Sequence, residues 1–461
     1  MPFSYDVQFW KLARLAKNGR RKRVYGVRWV VADRSFSKWF EYDAQADNYR
    51  SKLMTAARAG EGFDTETGLP ESLARQQQAI SWLELASRYV DMKWPHIAAK
   101  SRTSIADALA TVTPVLVTTT RGMPDARLLR LVLYSWAFHT MNRSAVKLSH
   151  DQADALSWMR SHSLNVTALD EPDRRSAVIR RALDALALTM HGQAAAATTI
   201  ARKRAVFYGV LSYAVELDLL PANPIGKVTW KAPEVAEEID RRVVARPTQV
   251  RQLLAAVTDI RPDLAAFFGC LYYAAMRPGE AVMLHRGDCV SLPDSGWGML
   301  LLTGNAPRVG SGWTDSGSAH DERHLKHRAR KATRPVPIPP ELVTLLRDHI
   351  GAHGTAVDGR LFHGRQDAML SESIYGRVWQ RARAAALTPA QATSPLAVRP
   401  YDLRHSGITL SLNAGVPAPE VARRAGHGVA VLLRVYAGCI DGHEQLWNGR
   451  IDEALRDDES A

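Results

Sequence analysis

Cysteine is scarce in this chain, with only three among 461 residues: Cys270, Cys289 and Cys439. These positions are far apart and include no C-x-x-C pair, so neither a disulfide framework nor a zinc site is indicated. Such cysteine usage fits a protein of a reducing cytoplasm.

Long apolar runs are also missing. No run approaches the ~20 residues that a helix needs to cross a bilayer, and the N-terminus lacks the apolar segment of a signal peptide. We therefore expect a soluble protein that is not exported and has no membrane partner.

Acidic residues are outnumbered by basic ones. The chain has 60 Lys and Arg against 47 Asp and Glu, which gives a net charge of +13 and a pI near 9.7. This excess indicates an anionic partner, because Lys and Arg that neutralise phosphates release condensed counterions on binding. A merely basic soluble protein is the alternative. Residues 1–60 hold 13 of the basic residues and only 5 acidic ones, so nucleic-acid contact is expected to begin there. The candidates are Arg21, Lys22, Arg23 and Arg28.

The first 66 residues predict a small βββα module. Residues 6–12, 23–31 and 36–42 alternate between apolar and polar side chains, as strands do, with turn residues between them. A helix follows, because apolar residues from Ala46 to Ala57 recur at spacings of three and four. The basic and aromatic side chains of this sheet suit a DNA groove, although some of the aromatic ones must form the core.

The rest of the chain predicts two further domains, since 461 residues are too many for one ordinary core. Residues 78–224 have apolar positions at helical spacing and should form an all-helical domain, followed by an extended linker at 225–246. Residues 247–461 should be mainly helical with a small antiparallel sheet. That sheet should contain a hairpin over 282–303 and, after a basic loop, a strand from Arg334 whose prolines suit a sheet edge. The predicted fold class is α+β multidomain.

The most informative stretch is R-P-Y-D-L-R-H, which runs from Arg399 to His405. Pro400 can occupy the first turn of a helix, where its missing N–H costs nothing. Tyr401, Arg404 and His405 then fall at i, i+3 and i+4 and share one helix face.

Three residues elsewhere complete a pattern with this stretch. Gly426 in A-R-R-A-G-H should stop a helix and leave His427 just past its C-terminus, well held but accessible. Tyr436 follows after a short apolar stretch, and Arg277 stands far upstream in A-M-R-P-G-E-A, one turn before Glu280. Each residue alone is more commonly structural, whereas their order and spacing together indicate a shared chemical role.

In this order and spacing the C-terminal half resembles the catalytic domain of the tyrosine recombinases, or phage-type integrases. The whole chain resembles those carried by actinobacterial phages and integrative elements. The resemblance implies an arm-type DNA-binding module at 1–66, a core-binding domain at 78–224 and a catalytic domain at 247–461. Its motifs are specific in the third of these regions.

The resemblance also implies a role for each matching residue. Arg277 and Arg404 would be the two catalytic arginines, His427 the histidine of the G-H motif, and Tyr436 the nucleophile. Two guanidiniums can hold the non-bridging oxygens of a phosphate, where charge develops during phosphoryl transfer. A phenol can attack and later leave, so a phosphotyrosine conserves the broken bond for rejoining. No metal or other cofactor is implied.

Two catalytic positions stay open at this point. The family uses a hairpin lysine as the acid for the leaving 5′-hydroxyl, and here Lys326 and Lys331 both qualify. Lys326 is favoured because L-K-H-R recurs in the relatives that this chain resembles, which leaves Lys331 as a DNA phosphate contact. Tyr401 stands where the family's H-x-x-R has a histidine, and a phenol is a poor general base near neutral pH. Tyr401 would instead hydrogen-bond a phosphate oxygen or the nucleophile, and His405 is either a substitute base or a buried structural residue.

These features predict a site-specific DNA recombinase that integrates or excises a mobile element through 3′-phosphotyrosyl intermediates. The implied partners are double-stranded DNA attachment sites, other copies of the chain in a homotetramer, an excisionase and a host DNA-bending protein. The implied location is the bacterial cytoplasm, at the nucleoid. Two alternatives are a topoisomerase of type IB-like chemistry, against which the separate N-terminal module argues, and a non-cleaving DNA-binding regulator. A regulator would have no use for the intact set of Arg277, Arg404, His427 and Tyr436.

Overall fold

The computed structural model describes residues 3–16, 23–77, 80–234, 238–325 and 332–439, together with 448–449, 451–453 and 455. The candidates Arg21, Lys22, Lys326 and Lys331 lie outside these described residues. The chain divides into two compact units, Met1–Glu234 and Val235–Ala461, and the division falls within the stretch predicted as a linker.

The first unit begins with short antiparallel strands. Their bounds are β1 Phe3–Ser4, β2 Val7–Phe9, β3 Ala13–Ala16, β4 Arg23–Val31, β5 Arg34–Phe40 and β6 Phe63–Asp64. β4 is central: β2 and β3 pair with successive parts of one edge, and β5 pairs with the other edge. β1 pairs with β6.

The prediction of one continuous strand at 6–12 was wrong. Phe9 pairs with Trp29 and Ala13 pairs with Gly26, so this segment advances four residues while β4 advances three. The extra residue is accommodated as a bulge, which interrupts the ladder, so the predicted strand is reduced to β2 and pairing resumes only at β3, beyond residue 12.

Helix α1, Asp43–Arg58, packs over one face of this sheet. Val27, Trp29 and Val31 of β4 point towards it and are buried with Leu53. The indole N–H of Trp29 donates to the backbone oxygen of Gly68, and the neighbouring Leu69 joins the same core. The hydrophobic core of the N-terminal module therefore extends beyond residue 66.

The remaining described part of the first unit is built from helices. Their bounds are α2 Glu71–Gln77, α3 Trp82–Lys93, α4 Ala99–Val112, α5 Ala126–Val132, α6 Thr140–Ala145, α7 His150–His162, α8 Pro172–Leu186 and α9 Ala197–Glu216. α4 packs against α8 and α9, and α3 packs against α9. The helical character predicted for residues 78–224 is thus present in the described part of that range.

The second unit combines helices with a small sheet. The helices are α10 Pro247–Ile260, α11 Ala265–Tyr273, α12 Pro278–Val282, α13 Pro340–His353, α14 Glu372–Ala386, α15 Pro389–Thr393, α16 Asp402–Asn413, α17 Ala418–Ala425 and α18 Val429–Tyr436. The strands are β7 Cys289–Ser291, β8 Gly298–Leu302, β9 Gly304–Asn305, β10 Arg323–His324 and β11 Arg334–Ile338.

The sheet of the second unit has the order β11-β8-β7, with all pairs antiparallel. β11 lies at its edge, which confirms the position predicted from Pro335 and Pro337. The predicted hairpin began too early, because Val282 ends α12 and the first strand starts at Cys289. Val282 and Leu284 are apolar because they are buried in the core around α11, and not because they belong to a strand.

Helices α11 and α16 meet at a glycine. A Cβ at Gly407 would lie 1.9 Å from the backbone oxygen of Tyr272, a distance that no side chain can occupy. This close approach brings α16, which carries Arg404, against the segment that leads to Arg277. In the part of the chain that the structure describes, no helix combines the length and apolar character needed to cross a membrane.

We predict that Gly407→Ala destabilises the protein by roughly 1–3 kcal/mol, because the added methyl group must push the two helices apart. Gly376→Ala is the matched control, since Gly376 also lies inside a helix but a Cβ there would meet no atom within 4 Å. This second change should stabilise by about 0.5–1 kcal/mol. Urea titrations of the two full-length variants measure both shifts, and equal midpoints would contradict the proposed close contact.

Candidate active site

Arg277 is held at the start of α12 by a turn that the sequence R-P-G-E encodes. Pro278 occupies the first turn of the helix, where it needs no N–H partner. The carboxylate of Glu280 then accepts from the backbone N–H of Arg277 at 2.9 Å and from its Nη1 at 2.8 Å. The guanidinium also donates from Nη2 to the backbone oxygen of Gly426 at 3.0 Å. Arg277 is thereby fixed from two sides.

Glu280 is a buried carboxylate between two guanidiniums. Arg334, at the start of β11, donates from Nη1 at 3.0 Å and from Nη2 at 2.7 Å to its two oxygens. Both side chains of this pair are almost fully buried. Burial alone would raise the pKa of Glu280, but Arg334 and then Arg277 outweigh it and lower the pKa to about 2. The site therefore holds a permanent negative charge beneath Arg277.

Arg404 lies on α16 and is fully buried. Its guanidinium donates to the backbone oxygen of Ala275, to that of Ala425 at 2.6 Å, and to Nε2 of His427 at 2.7 Å. Burial and the positive charge of Arg277 lower the pKa of Arg404 to about 10, so the side chain stays charged at neutral pH. A second guanidinium is thus fixed between the segments that end in Arg277 and His427.

His427 follows the left-handed residue that ends α17. Gly426 has φ +66°, and a Cβ there would lie 2.1 Å from Nη1 of Arg334, so only glycine fits. A guanidinium can only donate, so Nε2 of His427 accepts from Arg404 and the proton of the neutral ring sits on Nδ1. Burial, Arg404 and Arg277 lower the pKa of His427 to about 3. Its Nδ1 is buried without a hydrogen-bond partner in the described part of the chain.

Tyr436 is the last residue of α18 and is fully buried. Its hydroxyl lies 2.7 Å from Nδ1 of His405, and its ring stacks on His427 with centroids 6.2 Å apart. Burial raises the pKa of Tyr436, although the charge of Arg404 opposes the shift. A phenol in this position needs a proton acceptor before it can act as a nucleophile.

Tyr401 and His405 lie next to each other at the beginning of α16. Their rings meet edge to face with centroids 5.1 Å apart. Burial, followed by Arg404 and Arg399, lowers the pKa of His405 to about 4, which keeps its imidazole neutral near pH 7. With the predicted spacing i, i+3 and i+4, Arg404 bonds His427, His405 contacts the Tyr436 hydroxyl, and Tyr401 packs on the ring of His405.

The remaining candidates lie in the first unit or outside the described residues. Arg28 is exposed on β4, with its guanidinium over the ring of Trp10 at 5.7 Å. Arg23 begins the same strand. Trp39 pairs with Gly26 on the face of the sheet that bears Arg28 and is 42% exposed, whereas Trp29 is buried on the opposite face. This sheet face combines an arginine with exposed aromatic rings.

Arg334 was missed by the sequence reading. It begins the proline-rich strand β11, and a single arginine at that position belongs to no recognisable sequence motif. Its contacts with Glu280 and with the turn at Gly426 join segments far apart in sequence, so no local pattern indicates them. Within the described ranges, no three His, Cys, Asp or Glu side chains gather closely enough to hold a metal ion.

Comparison with curated proteins finds integrases. A prophage phiRv2 protein of Mycobacterium tuberculosis, assigned as an integrase, is 26% identical over 252 residues, 54% of this chain and 60% of the relative. The integrase of Mycobacterium phage D29 is 26% identical over 226 residues, 48% of this chain and 53% of the relative. The chain thus spans little more than half the length of the curated relatives that it matches. No family model matches it.

Among solved structures, the Tn1549 transposon integrase in complex with transposon right end DNA gives a TM-score of 0.46 at 15% identity, covering 68% of this chain and 97% of that one. A lambda integrase dimer bound to a core site gives 0.43 at 13% identity, covering 90% and 91%. In sequence the chain is thus similar to phage and prophage integrases.

Proposed function

We propose that this protein is a site-specific DNA recombinase that breaks and rejoins DNA through a 3′-phosphotyrosyl intermediate to integrate or excise a mobile element. The observation that carries the proposal is the buried Tyr436 hydroxyl within a cluster of two arginines and two histidines. The integrases among its sequence relatives support the same function.

The arginines would act on the scissile phosphate. Arg277 and Arg404 carry fixed positive charge, and both are oriented by protein contacts before any substrate binds. Preorganised donors stabilise the charge that develops on non-bridging oxygens without a cost of reorganisation. His427 would add one neutral donor, because its Nδ1 proton has no partner among the described residues.

The remaining catalytic roles concern proton transfer. Tyr436 would attack phosphorus, and the leaving 5′-oxygen would take a proton from Lys326, with Lys331 as the alternative acid. Tyr401 would hydrogen-bond a phosphate oxygen. No metal or other cofactor has a role in this scheme.

Other parts of the chain would bind DNA and assemble the complex. The N-terminal module would recognise arm-type sites through Arg21, Lys22, Arg23 and Arg28, with Lys331 as a phosphate contact in the second unit. Residues 78–224 would bind core sites, and 247–461 would form the catalytic domain. We propose a homotetramer on two attachment sites at the bacterial nucleoid, assisted by an excisionase and a host DNA-bending protein.

Tyr436→Phe should bind attachment-site DNA like the wild type but form no covalent adduct with a nicked suicide substrate, because only the attacking hydroxyl is removed. Tyr375→Phe is the matched control, since Tyr375 is another buried tyrosine of the same unit and should leave the adduct intact. Denaturing gels and peptide mapping give the answer. An adduct in the Tyr436 variant would contradict the nucleophile assignment, and its absence in the wild type would favour the non-cleaving regulator.

Arg277→Ala should slow adduct formation by at least ~10²-fold while weakening DNA binding far less, because its guanidinium acts mainly on transition-state charge. The fold should tolerate this change, since Arg334 still pairs with the buried Glu280. Arg347→Ala removes an exposed arginine of the same unit and should change neither quantity. Equal losses of binding and cleavage in Arg277→Ala would show that this arginine only anchors phosphate.

Arg28→Ala should lower the slope of log affinity against log salt by about 0.9 on DNA that carries arm sites, because one phosphate contact is lost. Arg58→Ala is the control, since Arg58 ends α1 on the layer opposite the exposed sheet face. Titrations on core-only DNA should give unchanged slopes for both variants. Equal effects of the two substitutions would argue against groove binding by this face.

A further inference from the structure

We infer that His405 is the general base that takes the proton from the Tyr436 hydroxyl during strand cleavage and returns it during rejoining. This inference rests on the proposed function, in which Tyr436 is the nucleophile. It gives the base role to a residue of α16 one turn beyond Tyr401, the position at which the chain departs from the family pattern.

The first support is the contact itself. Nδ1 of His405 lies 2.7 Å from the hydroxyl of Tyr436, and the two residues are 31 positions apart in sequence. In the described part of the chain, this imidazole is the only hydrogen-bond partner of that hydroxyl. A general base must lie within hydrogen-bond reach of the proton that it removes, and His405 meets this condition.

The second support is that α16 is fixed on both sides of His405. Arg404, directly before it, bonds the backbone oxygens of Ala275 and Ala425. Ser406, directly after it, accepts from the backbone N–H of Ala245 at 2.9 Å and donates to the backbone oxygen of Asp402 at 3.0 Å. The helix backbone that carries His405 is therefore held in place by contacts other than the bond to Tyr436.

The neighbouring candidates are less suited to this role. His427 stacks on the ring of Tyr436. Its neutral ring has only one nitrogen that can accept a proton, Nε2, and that nitrogen is occupied by a hydrogen bond from Arg404. Tyr401 contacts the ring of His405, and the structure records no bond from it to the Tyr436 hydroxyl among the described residues. A phenol would also be a poor acceptor near neutral pH.

The charges around His405 decide when it can accept a proton. Arg399, Tyr401 and Arg404 face it from its own segment, Tyr436 faces it from α18, and His427 from the turn after α17. Burial and the two arginines lower the pKa of His405 to about 4, so its ring is neutral and available as an acceptor at neutral pH. A phosphate bound between Arg277 and Arg404 would offset this positive field, raise the pKa of His405 and stabilise the imidazolium once it forms.

The proposed step balances in atoms and charge. The Tyr436 oxygen forms a bond to phosphorus as the bond from phosphorus to the 5′-oxygen breaks. The Tyr436 proton passes to Nδ1 of His405, and the 5′-oxygen takes a proton from the lysine acid. The phosphodiester keeps one negative charge, the imidazole gains one positive charge and the ammonium loses one. Rejoining reverses each transfer.

His405→Asn separates a base from a structural residue, because the amide can keep a hydrogen bond to Tyr436 but cannot take its proton. We would measure single-turnover adduct formation on a suicide substrate between pH 6 and 9.5 for this variant and the wild type. At pH 7 the variant should be at least ~10²-fold slower with unchanged DNA affinity. The rate of adduct formation by the variant should rise about tenfold per pH unit, because hydroxide takes over the role of the base. The difference in rate between the variant and the wild type should therefore become smaller as the pH increases.

Two further variants make the outcome decisive. His353→Asn changes an exposed histidine of the same unit and should follow the wild-type profile. His405→Gln serves if the asparagine variant does not fold. A deficit that is constant across the pH range, or a rate within about threefold of wild type, would overturn the inference and make His405 a structural residue.

The same experiment distinguishes a failure of the proposed function. If the wild type forms an adduct that Tyr436→Phe lacks, the recombinase chemistry stands whatever the His405 variants do. If the wild type forms none at any pH, the nucleophile assignment fails and the base assignment fails with it.

Discussion

The buried carboxylate of Glu280 joins two arginines from different layers of the second unit. It bonds Arg334 from the edge strand β11 and Arg277 from the start of α12, so one charge ties the small sheet to the helical layer. Removing one partner of a buried ion pair costs about 3–5 kcal/mol, because the remaining charge is left without compensation. The same ion pair also restricts the turn after α17 to glycine, because Arg334 occupies the space next to Gly426.

The candidate active site concentrates positive charge in a largely buried position at the end of α17. Arg277 and Arg404 meet the backbone oxygens at the end of α17, whose partial negative charge suits cations. The two histidines remain neutral because burial and the neighbouring guanidiniums disfavour their charged forms. A cluster with fixed cations, neutral imidazoles and a buried phenol is suited to bind an anionic phosphate and move a proton beside it.

In the N-terminal module, composition predicts a basic sheet, but the exposure of its aromatic rings depends on the three-dimensional structure. The excess of basic residues and the period-two alternation together indicate a basic sheet. Which aromatic rings are exposed depends on register: Trp29 faces α1 and is buried, while Trp39 crosses Gly26 on the other face. A bulge between Phe9 and Ala13 resets the pairing, and no period in the sequence marks it.

Elements and residues that local rules control could be predicted from the amino-acid sequence. The turn at R-P-G-E, the glycine stop before His427, the edge position of a proline-rich strand and the shared face of Tyr401, Arg404 and His405 all follow from backbone sterics and helical spacing. The contacts that those residues make could not be predicted in the same way. The pairing of Arg334 with Glu280, the bond from His405 to Tyr436 and the Gly407 contact with Tyr272 join segments 31 to 135 residues apart, so packing and burial select them. Electrostatic interactions of this kind depend on distance and desolvation, which spacing along a chain does not specify.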